Sequence, residues 1–252
     1  MQPSQVFCDE VSRNGFTIIP RAIAPQHADE LAVLFTASLA QGSEQGSPLE
    51  SRGTVYAARN PLDLLPNVAQ LWQHGPLAEF LPAILGPNFG LVRGLFFDKP
   101  PGRSWWLPWH KDLTIAVQDN SLPSQQFTRP TFKANVPHVI APVELLQSML
   151  TIRLHLDDVT GENGPLRVIP GSHLTGKEIA AGNVEPITIL ANRGDALAMR
   201  PLVSHSSGES SPETKLHRRI LHLEFAASPQ LADGYQWQRF IPGCSEGNNR
   251  TS

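Results

Sequence analysis

The sequence predicts a mainly β chain with flanking helices (α+β): either strands and helices in succession, or a β-sandwich or barrel with helices packed outside it. Three observations lead there. Helical periodicity is confined to the stretches before residue 90. Beyond that point, short apolar or alternating runs are separated by turn residues. The 23 prolines and 19 glycines are spread along the whole chain, which suits a loop-rich β architecture better than a helical bundle.

In order, NGFTIIP (14–20) predicts a turn and then a short strand. Pro25 suits the first position of a helix, and Leu31, Leu34, Phe35, Ser38 and Leu39 continue a helical stripe to Gly42. Residues 42–60, rich in Gly, Ser and Glu, are expected to form a loop. Residues 62–85 predict two short helices, broken at HGP and stopped at Gly86-Pro87. Strands follow at LVRGLFFD (91–98), LTIAV (113–117), MLTIRLHLDD (149–158), PITIL (186–190), DALAM (195–199) and RRILHLEFA (218–226). In the third of these, Thr151, Arg153 and His155 share one face, and Ile152, Leu154 and Leu156 share the other. The polar, proline-punctuated stretch 118–143 is long for a connection inside a compact domain, which predicts a lid or substrate loop.

A chain of 252 residues with 40% hydrophobic and 17% charged residues fits a single domain with a substantial core. The net charge of −3 and the pI near 6.3 lack the basic footprint of a nucleic-acid partner. Two cysteines near opposite ends, Cys8 and Cys244, argue against a disulfide framework and for a reducing compartment. The first residues, MQPSQVFCDE, have no basic and apolar leader pattern, and no apolar run reaches membrane-spanning length. The expectation is a soluble cytoplasmic protein with no membrane partner; nothing in the sequence speaks to its oligomeric state.

The chemistry concentrates in WWLPWHKDL (105–113). His110 and Asp112 stand two apart, and on an extended chain both side chains point to one face, where they could meet a single ion. The pattern alone decides nothing. Composition supplies roughly one His-x-acid pair by chance, and the chain has His27-Asp29, His110-Asp112, His155-Asp157 and His222-Glu224. His27-Asp29 falls in the first turn of the predicted helix, where the two side chains diverge. A non-haem Fe(II) site needs two imidazoles and one carboxylate on one side, with open positions opposite. His222-Glu224 has nothing after it to supply a third ligand. His205, in GDALAMRPLVSHSSGES, lies 95 residues beyond His110, room for the long loop and several strands. His110-Asp112 also opens a strand behind a proline-broken aromatic segment, as a pocket rim would.

PWHKD (108–112), NGPLRVIPGSH (163–173), His205 and RRILHLEFA stand in the order seen in phytanoyl-CoA dioxygenase-like Fe(II)/2-oxoglutarate oxygenases, and residues 90–228 resemble that family. The resemblance implies a double-stranded β-helix (jelly-roll, cupin-like) core over 90–228, carrying the 118–143 lid. Residues 1–89 would form an N-terminal strand and helices packed outside, and 229–252 a C-terminal tail, all within a single domain. It implies His110, Asp112 and His205 as iron ligands. A basic residue on the last core strand would pair with the distal carboxylate of 2-oxoglutarate, and the family register favours Arg218 over Arg219. Arginine suits the role because its planar fork meets a carboxylate with two charge-assisted bonds.

Thr151 and Arg153 are expected to hydrogen-bond the cosubstrate. His173 is expected in a structural turn rather than on the metal, Lys99 at a solvated strand end, and Lys111 facing away from the iron. Of Trp105, Trp106 and Trp109, at least one is expected to wall the pocket. The implied activity uses Fe(II), 2-oxoglutarate and O2 to hydroxylate a small molecule. Asp112 favours that outcome, since halogenases of this type leave its position empty for halide. The alternatives are a jelly-roll binding protein without catalysis and a cupin-type metalloenzyme that does not use 2-oxoglutarate.

Overall fold

The computed structural model describes residues 3–40, 48–51, 54–59, 61–65, 67–102, 105–180 and 184–243. The chain opens with helix α1 (Pro3–Asn14), which adds to the predicted elements. Only Cys8 and Val11 are buried on it, too narrow an apolar stripe to register in the sequence. The predicted strand and helix follow as β1 (Phe16–Ile19) and α2 (Pro25–Ala40). Residues 42–60 are not a plain loop: β2 (Pro48–Ser51) and β3 (Thr54–Arg59) pair there. Two 3-10 turns then precede α3 (Pro76–Leu85), which ends at Gly86 as expected.

The β region comprises β4 (Gly90–Lys99), β5 (Leu107–His110), β6 (Thr114–Ala116), β7 (Thr128–Lys133), β8 (Val136–Ile140), the short helix α4 (Val143–Gln147), β9 (Met149–His155), β10 (Leu166–Val168), β11 (Ile187–Thr188), β12 (Ala196–Met199), β13 (His205–Ser207), β14 (Arg218–Ala226) and β15 (Ile241–Pro242). The main antiparallel sheet runs β1-β12-β9-β14-β4-β3-β2, with β15 also paired to β4. A second sheet runs β11-β10-β13-β5, and a third β6-β8-β7. This is the mainly antiparallel β core with outside helices that the sequence predicts.

The main sheet has two chemically different faces. Outward, Ile152 and Leu154 of β9, Leu156 just after it, and Leu221, Leu223 and Phe225 of β14 bury against Phe35 of α2 and Leu77 and Phe80 of α3. Burial of such side chains is worth about 1.5–3 kcal/mol each, and it fixes the helices on that side. The opposite face of the same strands carries Arg153, His155, Arg218, His222 and Glu224, all buried. Strand alternation thus delivers a row of polar groups to the side turned toward β5 and β13.

Two further expectations change. The stretch 118–143 is a packed hairpin, β7–β8, rather than an open loop. Its tip is Ala134-Asn135, both at positive φ, and Phe127 and Val139 are buried beneath it. β7 is an edge strand with five of its six residues exposed, so it shows no apolar alternation, and Pro130 is tolerated at such an edge. The segment after 228 is no free tail as far as Gly243. Tyr235 and Trp237 are buried, and Gly243 O accepts a bond from Trp72 Nε1 at 3.0 Å. Cys244 and the rest of the predicted tail lie outside the described residues; Cys8 is a buried free thiol. Among the described residues no helix is long and apolar enough to cross a membrane.

Gly15 joins α1 to β1 at φ +86°, and a Cβ there would lie 2.5 Å from Val203 Cγ2 and 2.6 Å from His173 Nδ1. Gly86, also at φ +86°, has nothing within 4 Å of the same point. Gly15→Ala is therefore expected to cost about 2–4 kcal/mol from backbone strain and overpacking together, and Gly86→Ala only about 1 kcal/mol from strain. Thermal unfolding of the two variants checks the difference; equal losses would contradict it.

Candidate metal and cosubstrate site

β5 and β13 pair antiparallel with His205 directly opposite His110. The two imidazole centroids are 4.1 Å apart, and His205 Nε2 lies 3.7 Å from Asp112 Oδ2. One ligand atom from each of His110, Asp112 and His205 falls within 4.8 Å of the others, the only such group of three or more among the described residues. Each imidazole is oriented in the same way. His110 Nδ1 faces Pro108 O at 2.7 Å, and His205 Nδ1 faces Val203 O at 2.9 Å. A carbonyl only accepts, so Nδ1 carries the proton and Nε2 keeps its lone pair for an ion.

The electrostatics agree. Burial works against the charged form of Asp112, but His205, His222, His110 and Arg153 outweigh it and hold the carboxyl at about 2. Burial pushes His205 down to about 4, so at neutral pH its imidazole is uncharged and able to act as a donor to a metal. Two imidazoles and one ionised carboxylate on one side are a donor set for a divalent first-row metal with open positions opposite.

The segments around the triad hold it rather than bind. Lys111 points away, and its Nζ donates to Ser172 O, Thr175 Oγ1 and Gly176 O at 2.7–2.9 Å. Ser172 Oγ in turn accepts from Ser204 N at 2.8 Å, beside His205. The PGSH turn therefore braces both ligand strands. His173 packs against Gly15 and faces Ser12 O at 3.3 Å, away from the triad. Asn163 ties Asp158 O to His217 O. At Gly164, φ +68°, a Cβ would meet Gly208 O at 2.7 Å and Lys99 Nζ at 2.8 Å, which accounts for the Asn-Gly pair.

Lys99 corrects the sequence reading: it is fully buried, not a solvated strand end. Its Nζ donates to Trp105 O and Gly208 O at 2.8 Å and to Ser207 Oγ at 3.3 Å. Burial and the neighbouring Arg218 lower its pKa to about 7. The Lys-Pro-Pro-Gly sequence that follows suggests a turn at the surface, and nothing in it signals an ammonium folded back under Trp105.

A cavity of about 140 Å³ opens over the triad, between the second sheet and the polar face of the main sheet. Trp105 lines it; Trp106 is exposed, and Trp109 stacks near Arg167. Arg218 and Arg153 line it too, and both are buried. Burial and Arg153 lower Arg218 to about 9, and its Nε has no hydrogen-bond partner among the described residues. Arg219 faces the other way. Its Nε and Nη2 bond Asp157 at 2.9 and 2.5 Å, so its charge is already matched. Thr151 is buried opposite Glu224 in the β9–β14 pairing and does not line the cavity.

Sequence reasoning passed over one wall. Arg153 Nη1 donates to His222 Nδ1 at 3.0 Å, so Nε2–H of His222 faces Glu224 Oε1 at 3.3 Å, which also takes Arg93 Nη1 at 3.2 Å. All four side chains line the cavity, with Lys133 of β7 at its edge. The signal was present: Arg218, His222 and Glu224 fall on one parity of RRILHLEFA.

The family described as Phytanoyl-CoA dioxygenase (PhyH) matches residues 11–216. No curated protein matches the chain in sequence. Among solved structures, EvdMO1 is 20% identical with a TM-score of 0.63; the match covers 88% of this chain and 49% of that one, so the chain spans about half of EvdMO1. The non-heme alpha-ketoglutarate-dependent epimerase SnoN from nogalamycin biosynthesis is 16% identical with a TM-score of 0.66, over 98% of both chains. SnoN has also been solved with Fe3+, alpha-ketoglutarate and nogalamycin RO, a match of TM-score 0.60 over 97% of this chain and 96% of that one, again 16% identical. The carbocyclase SnoK of the same biosynthesis is 15% identical, with a TM-score of 0.63 over 91% of this chain and 88% of that one. At these identities the structures establish a shared fold.

The two adjacent arginines should separate in stability. Arg219→Ala removes a bidentate, partly exposed ion pair and is expected to cost about 1 kcal/mol in thermal unfolding. Arg218→Met removes a buried guanidinium with no carboxylate partner among the described residues and is expected to leave the melting temperature unchanged or raise it. The opposite ranking would show that Arg218 is a structural residue.

Proposed function

The chain belongs to the phytanoyl-CoA dioxygenase family, and from that premise we propose that it is an Fe(II)- and 2-oxoglutarate-dependent dioxygenase. The proposed reaction hydroxylates an unactivated C–H bond of a small-molecule substrate, with 2-oxoglutarate and O2 giving succinate and CO2. His110, Asp112 and His205 would hold the iron through Nε2, a carboxylate oxygen and Nε2. When bound, iron supplies the redox chemistry that couples decarboxylation of 2-oxoglutarate to transfer of one oxygen atom to the substrate.

This chain's own groups do the rest. The carbonyls of Pro108 and Val203 fix the imidazole tautomers. Arg218 offers a two-pronged seat for the distal carboxylate of 2-oxoglutarate, and Arg153 a second guanidinium between that seat and Asp112. Trp105, Leu107 and Phe97 wall the cavity with apolar surface and limit water.

The observation that carries this reading is the pairing of a His-Asp-His triad with a buried Arg218 on the facing sheet whose Nε has no hydrogen-bond partner among the described residues. The lining has four cations, Arg93, Lys133, Arg153 and Arg218, against two carboxylates, Asp112 and Glu224. A dianion such as 2-oxoglutarate balances that excess, and a divalent metal adds to the need for it. A cupin-type enzyme working without 2-oxoglutarate would not need an arginine for its distal carboxylate, and a binding protein without catalysis would form no succinate. A cytoplasmic location belongs to the same proposal, supported by the free Cys8 thiol.

Asp112→Ala and His205→Ala are each expected to lower iron-dependent conversion of 2-oxoglutarate to succinate at least a hundredfold. Anaerobic addition of Fe(II) and 2-oxoglutarate to the unaltered protein is expected to give a weak visible charge-transfer band. Full succinate formation in either variant would remove the triad from the mechanism.

A further inference from the structure

On the polar face of the main sheet, β9 contributes Arg153 and His155, and β14 contributes Arg218 and His222. One arginine–histidine contact is made: Arg153 Nη1 donates to His222 Nδ1 at 3.0 Å, across the pair the register sets directly opposite. The other two groups are both incomplete. His155 stands opposite Ile220, with Arg218 the next residue of that face on β14 and Arg153 its neighbour on β9. His155 is 4% exposed, and neither ring nitrogen has a hydrogen-bond partner among the described residues. Arg218 Nε, a donor, is equally unpartnered. Leaving such buried groups unmatched costs about 1–3 kcal/mol each.

Among the described residues no nearby carboxylate is free to settle either one. Glu224 takes Arg93 and His222, Asp157 takes Arg219, and Asp112 belongs to the triad. Ile220 beside them is buried with Phe97, Val159 and Ala191, so the surroundings are apolar. Burial, followed by Arg153 and Arg218, holds the His155 imidazole neutral with a pKa of about 3. A neutral imidazole has one free lone pair, which is what a guanidinium Nε–H requires.

We propose that His155 is a positioning residue for the cosubstrate: with 2-oxoglutarate bound, its imidazole accepts the Nε–H of Arg218, a bond not made in this structure, and so aims the Nη fork of Arg218 at the distal carboxylate. This rests on the assignment of that carboxylate to Arg218. His155 acts only on the end of the ligand that bears the second carboxylate. Its loss therefore distinguishes a dicarboxylate from a monocarboxylate of the same chain length.

The test is anaerobic titration of the Fe(II)-loaded protein with 2-oxoglutarate and with 2-oxopentanoate, which lacks the distal carboxylate, followed by the charge-transfer band. His155→Leu is expected to weaken 2-oxoglutarate about tenfold or more and to leave 2-oxopentanoate unchanged. His155→Gln, whose amide oxygen can accept the same bond, is expected to recover most of the affinity. Equal weakening of both ligands would assign His155 a merely structural role, and unchanged 2-oxoglutarate affinity in His155→Leu would overturn the proposal outright.

If the leucine variant does not fold, 15N NMR of the imidazoles in the unaltered Zn(II)-loaded protein decides. A His155 ring nitrogen should shift on adding 2-oxoglutarate and not 2-oxopentanoate, and no shift would overturn the proposal. Absence of any band from the unaltered Fe(II) protein with 2-oxoglutarate would instead bring down the dioxygenase reading, and this inference with it.

Discussion

The site depends on one strand pairing, β5 against β13 with His110 opposite His205. Side chains on a strand alternate, so a slip of one residue would turn one imidazole out of the cavity. The pairing is short and irregular, with a register shift between His205 and Ser207, and it needs bracing from outside. Two buried lysines provide it. Lys111 gathers the PGSH turn behind the ligands, and Lys99 reaches from the main sheet to hold Trp105 O, Ser207 Oγ and Gly208 O. Burial lowers both ammonium groups, to about 8 and about 7, and each has found three oxygen acceptors in return. They serve as cross-links between the segments that carry or flank the His-Asp-His triad.

The main sheet is the second requirement. Its outer face is apolar and fixed by the helices, which frees the inner face to carry charge. A sheet solvated on that side would screen Arg153 and Arg218 and weaken their hold on an anion. Here both are buried, and the pairs Arg93–Glu224 and Arg219–Asp157 take up the remaining nearby carboxylates. The inner face is therefore left cationic at the end where Arg218 sits, while the opposite end, with Arg93 and Glu224, is balanced. The cavity thus has a polarity along β14, and on the proposed function that polarity would give cosubstrate and substrate different ends to occupy.

Much of this was legible in residues whose meaning is local. The turn at Gly15, the helix begun at Pro25, the stop at Gly86 and the alternation of MLTIRLHLDD all state their own geometry, and the structure follows them. Ligand chemistry made His110-Asp112 with His205 a candidate set, and the resemblance to the oxygenase family, carried by motifs in order along the chain, singled it out from the other His-x-acid pairs. The hairpin at 128–140 was hidden because an exposed edge strand with Pro130 has no apolar alternation to show. Lys99 was misread because exposure of a lysine is decided by what folds over it, here Trp105 and Gly208 from two different segments. The Arg93–Glu224–His222–Arg153 wall spans β4, β14 and β9, and no periodicity in one strand reveals a chain of bonds across three.

The charges in the cavity also couple its two guests. Asp112 is the one carboxylate whose field supports Arg153 in its buried position. A divalent ion on the triad would draw that carboxylate's charge to itself and add its own. Arg153, Arg218 and the metal would then face one another with less compensation than before, and a dianion spanning the cavity relieves all three at once. Conversely, a dianion seated on Arg218 without a metal would bring its other end toward the ionised Asp112, where like charges repel. Metal and dicarboxylate therefore each improve the site for the other, a positive coupling that linkage makes reciprocal. The arrangement favours a fully loaded centre or an empty one over a half-filled site, and it follows from placing one carboxylate between two imidazoles and a buried arginine.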